Sequence, residues 1–318
     1  MNLINTQRTR AYLILAFGIL AVSTASIFIR LAQSEASSLV IAASRMSLAA
    51  VLLAPVVLLT ARDELNRLNR LDWQQLALSG IFLGLHFASW ISSLEFTSVA
   101  SSVVIVTTTP LWVALLSPLV LHERLDPRIW PGLLLAMAGG ILVGVQQSCT
   151  VSSSGITCEG FAQMLHGRAL IGNALALFGA WMSGSYLLVG RKVRPRLSLI
   201  SYSFVVYGTA ALLLIGLCVF TKQSVLGFAP VTYAYLALLA IIPQLMGHSA
   251  FNWALRYVPA TFVSLALLGE PIGTTVLAVA FLHENPAIGE LLGGAMILIG
   301  IFLASRQTGS PEPATAEI

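Results

Sequence analysis

The chain has 318 residues, 57% of them hydrophobic and only 9% charged, with a mean hydropathy of +0.87. A soluble domain carries about a quarter charged residues, so a water-soluble globule is excluded, and the formal charge of +4 reads as loop orientation in a membrane rather than as a nucleic-acid surface. Three cysteines are too few for a disulfide scaffold, a zinc ribbon or a four-thiolate iron–sulfur site.

About 20 apolar residues cross a ~30 Å hydrocarbon core, and ten stretches of that kind follow one another. They predict helices α1 at 11–32, α2 at 37–60, α3 at 73–95, α4 at 98–121, α5 at 127–146, α6 at 168–190, α7 at 198–221, α8 at 233–256, α9 at 260–282 and α10 at 287–305. No stretch remains for a soluble catalytic domain. α1 is too long for a removable signal peptide and lacks a small-residue cleavage site, so it reads as a spanning helix. The one long connection, 147–167, is rich in Ser and Gly and separates a first five-helix unit, 1–146, from a second, 168–305. The polar, Pro-containing tail 306–318 cannot bury a face and is expected to be disordered.

Sliding the chain against itself by 161 residues aligns the two units without a gap. Phe17-Gly18 falls on Phe178-Gly179, Arg30 on Arg191, Pro110 on Pro271, Leu121-His122-Glu123 on Leu282-His283-Glu284, Gly132 on Gly293 and Gly139 on Gly300. A shared offset for a proline and a Leu-His-Glu triplet marks an internal repeat. Each unit holds five helices, an odd number, so the second enters the membrane from the opposite side. The expected fold is therefore an all-α membrane protein of ten transmembrane helices arranged as two inverted five-helix repeats, an architecture of secondary transporters.

Lysine and arginine counts set the orientation. Of the 17 such residues, only Arg30, Arg168 and Lys222 fall on one side, Arg45 lies within α2, and the rest gather on the side of the N-terminus. Both termini are thus expected in the cytoplasm of a bacterium, with the chain in its cytoplasmic (inner) membrane and the 147–167 loop outside. In that oxidising compartment Cys149 and Cys158 are expected to pair, and Cys218, within α7, to stay free.

A carboxylate at mid-depth costs at least ~2.5 kcal/mol, which makes it a functional candidate. Glu270 is the one acid well inside a helix, ten residues into α9. It reads as a proton carrier, as the binder of a cationic substrate group, or as a structural partner of Arg45. Pro110 and Pro271 occupy equivalent places in α4 and α9, where proline is expected to free the carbonyls of Val106 and Leu267 for substrate or for a hinge. Gln244, His248 and Asn252 recur at four-residue spacing on α8 and form one polar stripe. His86 and Trp90 of α3, Thr108 before Pro110, and Trp181 and Tyr186 of α6 complete the candidate substrate-binding set, each weighed against core packing. His122-Glu123 and His283-Glu284 continue as HERLD and HENPA, not as a zinc-binding His-Glu-x-x-His, so turning and capping explain them and no metal is expected.

Two repeats, each with a mid-span proline, then Leu-His-Glu, then a glycine-rich helix (PGLLLAMAGGILVG and GELLGGAMILIGIFLA), resemble the EamA repeats of the drug/metabolite transporter superfamily over about 11–305. Trp181 through Gly190-Arg191-Lys192, and Glu270-Pro271, are similar to that family's second repeat, whereas Val22-Ser23-Thr24 replaces its usual Trp-Gly pair in α1. The resemblance implies a carrier whose cavity is lined by α1, α3, α4, α6, α8 and α9, with α5 and α10 peripheral.

The expected function is a secondary transporter, an exporter of amino acids or similar small polar metabolites working by alternating access. A single midplane acid with few buried charges suits a zwitterion better than a phosphorylated solute. Two alternatives remain: a proton-coupled transporter of cationic or aromatic compounds, and a membrane receptor or scaffold that transports nothing. No enzyme motif is present, no cofactor is implied, and the expected partners are a small-molecule substrate, protons in the coupled reading, and the lipid bilayer, for which a monomer suffices.

Overall fold

The computed structural model describes residues 2–97, 102, 105–122, 126–146, 149–152, 155–158, 167–277 and 288–307. α1 comes in two pieces, Asn2–Val22 and Ala25–Ala32; α2 spans Ser38–Thr60 and α3 spans Arg70–Ser93, with a helical turn, Arg62–Asn66, between them. α4 is described over Thr109–Val120 and α5 over Ile129–Gln146. α6 covers Gly167–Val193 and α7 covers Leu199–Phe220. α8 runs as an α-helix over Pro230–Leu239, a π-helix over Ala240–His248 and an α-helix again over Ser249–Ala254. α9 is broken into Ala260–Ala266, a 3-10 turn at Leu267–Gly269 and Glu270–Leu277, and α10 covers Ile288–Gln307.

Among the described residues, six stretches are long and apolar enough to cross a membrane: Thr9–Ala32, Ser38–Thr60, Arg70–Ser93, Leu199–Phe220, Pro230–Ala254 and Ala260–Leu277. The apolar lengths described in α4, α5 and α10 are shorter, Thr109–Val120, Ile129–Val143 and Leu291–Ala304. Large apolar side chains stand outward around the bundle, Leu59 and Phe220 at 85% exposure, as an apolar surrounding requires and water forbids.

The helical expectation holds apart from the connecting loop. There Cys149–Ser152 (β1) and Gly155–Cys158 (β2) form an antiparallel hairpin whose backbone register sets Cys149 opposite Cys158. The side chains of that expected disulfide lie outside the described ones, while Cys218 is free and buried in α7. The tail expected to be disordered lies outside the described residues beyond 307. His122 takes φ 57° just after α4, a left-handed turn that agrees with a turning role; Glu123 and His283-Glu284 lie outside the described residues.

The breaks in the helices have identifiable causes. In α1 the Ser23 hydroxyl donates to the Ile19 carbonyl (2.7 Å) and Thr24 to that of Ala21 (2.8 Å), bonds that compete with the helical ladder and bend it. In α8 the π-turn contains Pro243, which cannot donate to the ladder. The carbonyls expected to be freed by the symmetric prolines are both taken. Val106 O accepts the Thr109 hydroxyl at 2.8 Å, and Leu267 O accepts the Glu270 amide through the 3-10 turn.

Helix starts are capped from across the molecule. The Glu64 carboxylate accepts from the Ser198 amide (2.7 Å), the Ser198 hydroxyl and the Ser201 hydroxyl at the N-terminus of α7. On α8, Glu35 accepts from the Ala229 amide and the Thr232 hydroxyl, both at 2.8 Å. Carboxylates there complete orphan amides and meet the positive end of the helix dipole. Partial burial pushes the Glu64 carboxyl upward, but its bonds from Ser198 and Ser201 and the nearby Arg194 outweigh this and hold it below the usual carboxylate range.

Glycines set the closest helix contacts. A Cβ on Gly139 would stand 2.5 Å from the Gly293 carbonyl oxygen, and one on Gly132 would stand 2.7 Å from that of Gly300. The reverse pair is equally tight, Gly293 at 2.7 Å from Gly139 O and Gly300 at 2.5 Å from Gly132 O. As residue numbers rise along α5 they fall along α10, so these two repeat-equivalent helices cross antiparallel. The offset of 161 carries the Gly132–Gly300 contact onto Gly293–Gly139. The same operation carries Gly18 against Ala250 and Phe251 (α1 on α8) onto Gly179 against Ser89 and Trp90 (α6 on α3).

Two outcomes follow. Gly139→Leu should cost about 1–3 kcal/mol through overpacking, read as a lowered thermal midpoint in detergent, whereas Gly140→Ala, whose Cβ would lie 3.7 Å from the Thr107 hydroxyl oxygen, should be near neutral. Because Glu64 is held below its unfolded value, its contribution is present above the unfolded pKa of ~4.3 and is lost as pH falls through the folded one. Glu64→Gln should therefore flatten the acid limb of the stability curve, and an unchanged limb would remove Glu64 from its cause.

Candidate functional site

α2, α3 and α8 meet around a charge. Arg45 of α2 is 1% exposed, its Nε donates to Gln244 Oε1 at 2.8 Å, and its guanidinium carbon lies 4.3 Å from the centroid of Phe87 on α3. Phe87 in turn meets the edge of His248 at 5.3 Å, and His248 meets Phe251 at 6.1 Å. On the same face of α3, His86 stacks on Trp90 with rings 5.9 Å apart and 3° from parallel. Gln244, His248, His86 and Trp90, four of the candidates, thus share one aromatic and polar cluster, joined by Arg45 and Phe87.

Phe87 and His248 are equivalent under the 161-residue offset and touch each other. A residue can touch its own counterpart only near the axis that exchanges the two repeats. The cluster therefore sits where that axis passes.

Glu270 opens the last piece of α9, and its side chain is partly exposed. Ser23, at the break of α1, donates to its backbone carbonyl at 3.0 Å, Thr274 donates back to Ser23 O at 3.2 Å, and Gly273 leaves the room Ser23 occupies. The breaks in α1 and α9 interlock. No contact within 4.0 Å joins the Glu270 carboxylate to Arg45, whose Nε is taken by Gln244, so the direct ion pair weighed from the sequence is not formed.

The remaining candidates separate from this cluster. The residues of the stripe expected along α8, which runs through the π-turn Ala240–His248, take different partners. Gln244 turns to Arg45 and His248 to Phe87, while Asn252 is fully buried. Asn252 accepts a short hydrogen bond from the Tyr186 hydroxyl and donates to the Tyr207 hydroxyl at 3.2 Å. Tyr186 and Asn252 therefore have their polar groups committed to a knot linking α6, α7 and α8. His86 is also anchored, its Nδ1 2.9 Å from Gly179 O.

Thr108 accepts from the Trp112 indole at 3.0 Å and donates to Ile105 O at 2.7 Å, and Trp112 meets the edge of Trp181 at 5.4 Å. This second cluster lies between α4 and α6, with Trp181 41% exposed. Pro110 is the second residue of the described α4 and Pro271 the second of the last piece of α9, each just after an irregular turn. Phe87, Trp112 and Tyr207 were not singled out from sequence, and Ser23 was noted only as part of the departure Val22-Ser23-Thr24. Only the exact offset of Phe87 from His248 could have pointed to one of them.

A separate cavity of about 350 Å³ lies near the α2–α3 and α6–α7 connections, lined by Glu64, Arg67, Leu68, Asp72, Arg196 and Leu197. Its charges are largely matched internally, with Arg196 3.4 Å from Asp72.

Asn252→Ala leaves the buried hydroxyls of Tyr186 and Tyr207 without a shared partner. It should lower stability by about 1–3 kcal/mol, seen as a reduced thermal midpoint, and a midpoint equal to that of the unaltered protein would show that the knot carries no load.

A solved crystal structure has the same fold, with a TM-score of 0.72 at 20% identity over 95% of this chain and 99% of its own. An uncharacterized transporter of Archaeoglobus fulgidus is 24% identical over 307 residues, 95% of this chain and 99% of the relative. The uncharacterized transporter YyaM of Bacillus subtilis is 24% identical over 285 residues, 87% of each. The EamA-like transporter family matches twice, over residues 9–145 and 170–306, one match on each side of the connecting hairpin. With its long apolar helices and two repeats, this multi-pass membrane protein belongs to the EamA-like transporter family.

Proposed function

We propose that the chain is a secondary transporter that exports amino acids or similarly sized polar metabolites by alternating access. In this reading all ten helices cross the cytoplasmic membrane of a bacterium, both termini are cytoplasmic, and units 1–146 and 168–305 form inverted halves joined by the external segment 147–167. A monomer needs no cofactor to work in this way. The single observation carrying the proposal is the contact between the equivalent residues Phe87 and His248, beside the buried Arg45. Inverted halves that meet on such an axis can rock about it and expose a central site to either side in turn.

Gln244, His248, His86 and Trp90 line the site in this reading, with Glu270 at its α9 side and Trp181, Tyr186, Asn252 and Thr108 in its walls. Pro110 and Pro271 are the hinges. Glu270 pairs with the substrate's ammonium group. A second reading, proton-coupled transport of cationic or aromatic compounds, is favoured by Trp112 and Trp181, which offer an aromatic surface between α4 and α6.

Counterflow in proteoliposomes with a panel of amino acids, nucleobases and amines tests the proposal, and absence of flux for every amino acid would reject the first reading. Glu270→Gln then separates the roles. If Glu270 pairs with the substrate, exchange and net accumulation should fall together by tenfold or more, on the order of one lost charge-assisted bond. If it carries a proton, exchange should persist while proton-driven accumulation stops. Normal transport in every mode would take Glu270 out of the site.

A further inference from the structure

The Arg45–Gln244 pair is incomplete. Arg45 is 1% exposed and Gln244 is fully buried. Among the described residues, one guanidinium nitrogen of Arg45, Nη2, and the amide nitrogen of Gln244, Nε2, have no partner at hydrogen-bond distance. Both are donors, and among the described residues no carboxylate touches the guanidinium. The Phe87 ring covers its face at 4.3 Å, and Gln244 Oε1 takes its Nε. What is left open is an edge of N–H groups.

Burying a cation among apolar helices is costly unless it is paired and hydrogen-bonded, and buried donors are seldom left unmade. An uncompensated arginine beside a second idle donor is the recognition set of a carboxylate, whose two oxygens accept from a guanidinium edge and a neighbouring amide. The repeat supplies an independent pointer. The offset of 161 residues places Val206 and Leu83 at the positions equivalent to Arg45 and Gln244. Packing of the fold is thus satisfied by apolar residues in one copy, and the polar pair occurs in the other alone. The pair lies beside the Phe87–His248 contact, near the axis that exchanges the repeats.

We infer that Arg45 Nη2 and Gln244 Nε2 form the subsite for a substrate carboxylate. The inference rests on the transport reading and narrows it. With the carboxylate held at Arg45 and an ammonium group at Glu270, the two ionisable side chains select a zwitterion of amino-acid size. In this arrangement the substrate would span the gap between Arg45 and Glu270, which make no direct contact.

The test uses the purified full chain, with thermal shift in detergent and counterflow in proteoliposomes as parallel readouts. The probes are the free amino acids, their methyl esters, the corresponding decarboxylated amines, and simple mono- and dicarboxylates. Free acids should bind more tightly than esters and amines by on the order of tenfold to a hundredfold. Gln244→Glu supplies an internal carboxylate for Arg45, so it should raise the thermal midpoint while removing the response to free acids. Arg45→Gln should erase the preference of acid over ester.

Equal responses to acids and esters would overturn the subsite, as would an acid response that survives Gln244→Glu. Binding of carboxylates without any amino acid among them would reject the amino-acid reading and leave the subsite standing. Binding confined to amines and esters, or no binding by any probe, would overturn the subsite.

Discussion

The contact on which the rest depends is backbone against backbone, where α5 and α10 cross. In an apolar surrounding there is no hydrophobic gain from pushing two apolar helices together, so association relies on close van der Waals approach and on small residues that permit it. Gly132, Gly139, Gly293 and Gly300 provide that approach, each lying where a Cβ would be forced within 2.7 Å of a carbonyl oxygen on the other helix. Because the pairs exchange under the repeat offset, one contact type is used twice in opposite directions. The sites where α1 meets α8 and α3 meets α6 obey the same exchange, with Gly18 and Gly179 at the crossings.

A symmetric scaffold places equivalent positions face to face, and chemistry arises where the two copies differ. Phe87 faces His248; Arg45 has Val206 as its counterpart, Gln244 has Leu83 and Glu270 has Thr109. Every polar member of the central cluster is unmatched in this way. Positions serving packing alone could remain alike in both copies, so these differences concentrate the unpaired charge and the unmade hydrogen bonds on one side of the axis.

The irregular helices show how backbone groups are kept satisfied without water. Ser23, Thr24 and Thr109 bend their hydroxyls onto carbonyls of the preceding turn, and the 3-10 turn at Leu267–Gly269 takes up the carbonyl that Pro271 would otherwise orphan. Breaks are tolerated where such side chains stand ready. Ser23 does more, since its hydroxyl also reaches Glu270 O and ties the break of one helix to that of another. Glu270 is thereby tied to α1 through its own backbone.

The sequence by itself determined the helical class, the repeat at 161 residues and the family, because hydropathy and spacing are local or nearly exact properties of the chain. It also pointed to breaks at Pro110 and Pro271, since proline alters the backbone whatever surrounds it. Side-chain partners were another matter. Asn252 and Gln244 looked alike on a regular helical wheel, but the fold sets Gln244 against Arg45 and knots Asn252 with Tyr186 and Tyr207. Arg45 read as a partner for Glu270, yet the fold spends its Nε on Gln244 and its face on Phe87, leaving an edge open. Such outcomes depend on which helix faces which at a given depth. That is set by long-range packing, about which the identity of a residue and of its sequence neighbours says little.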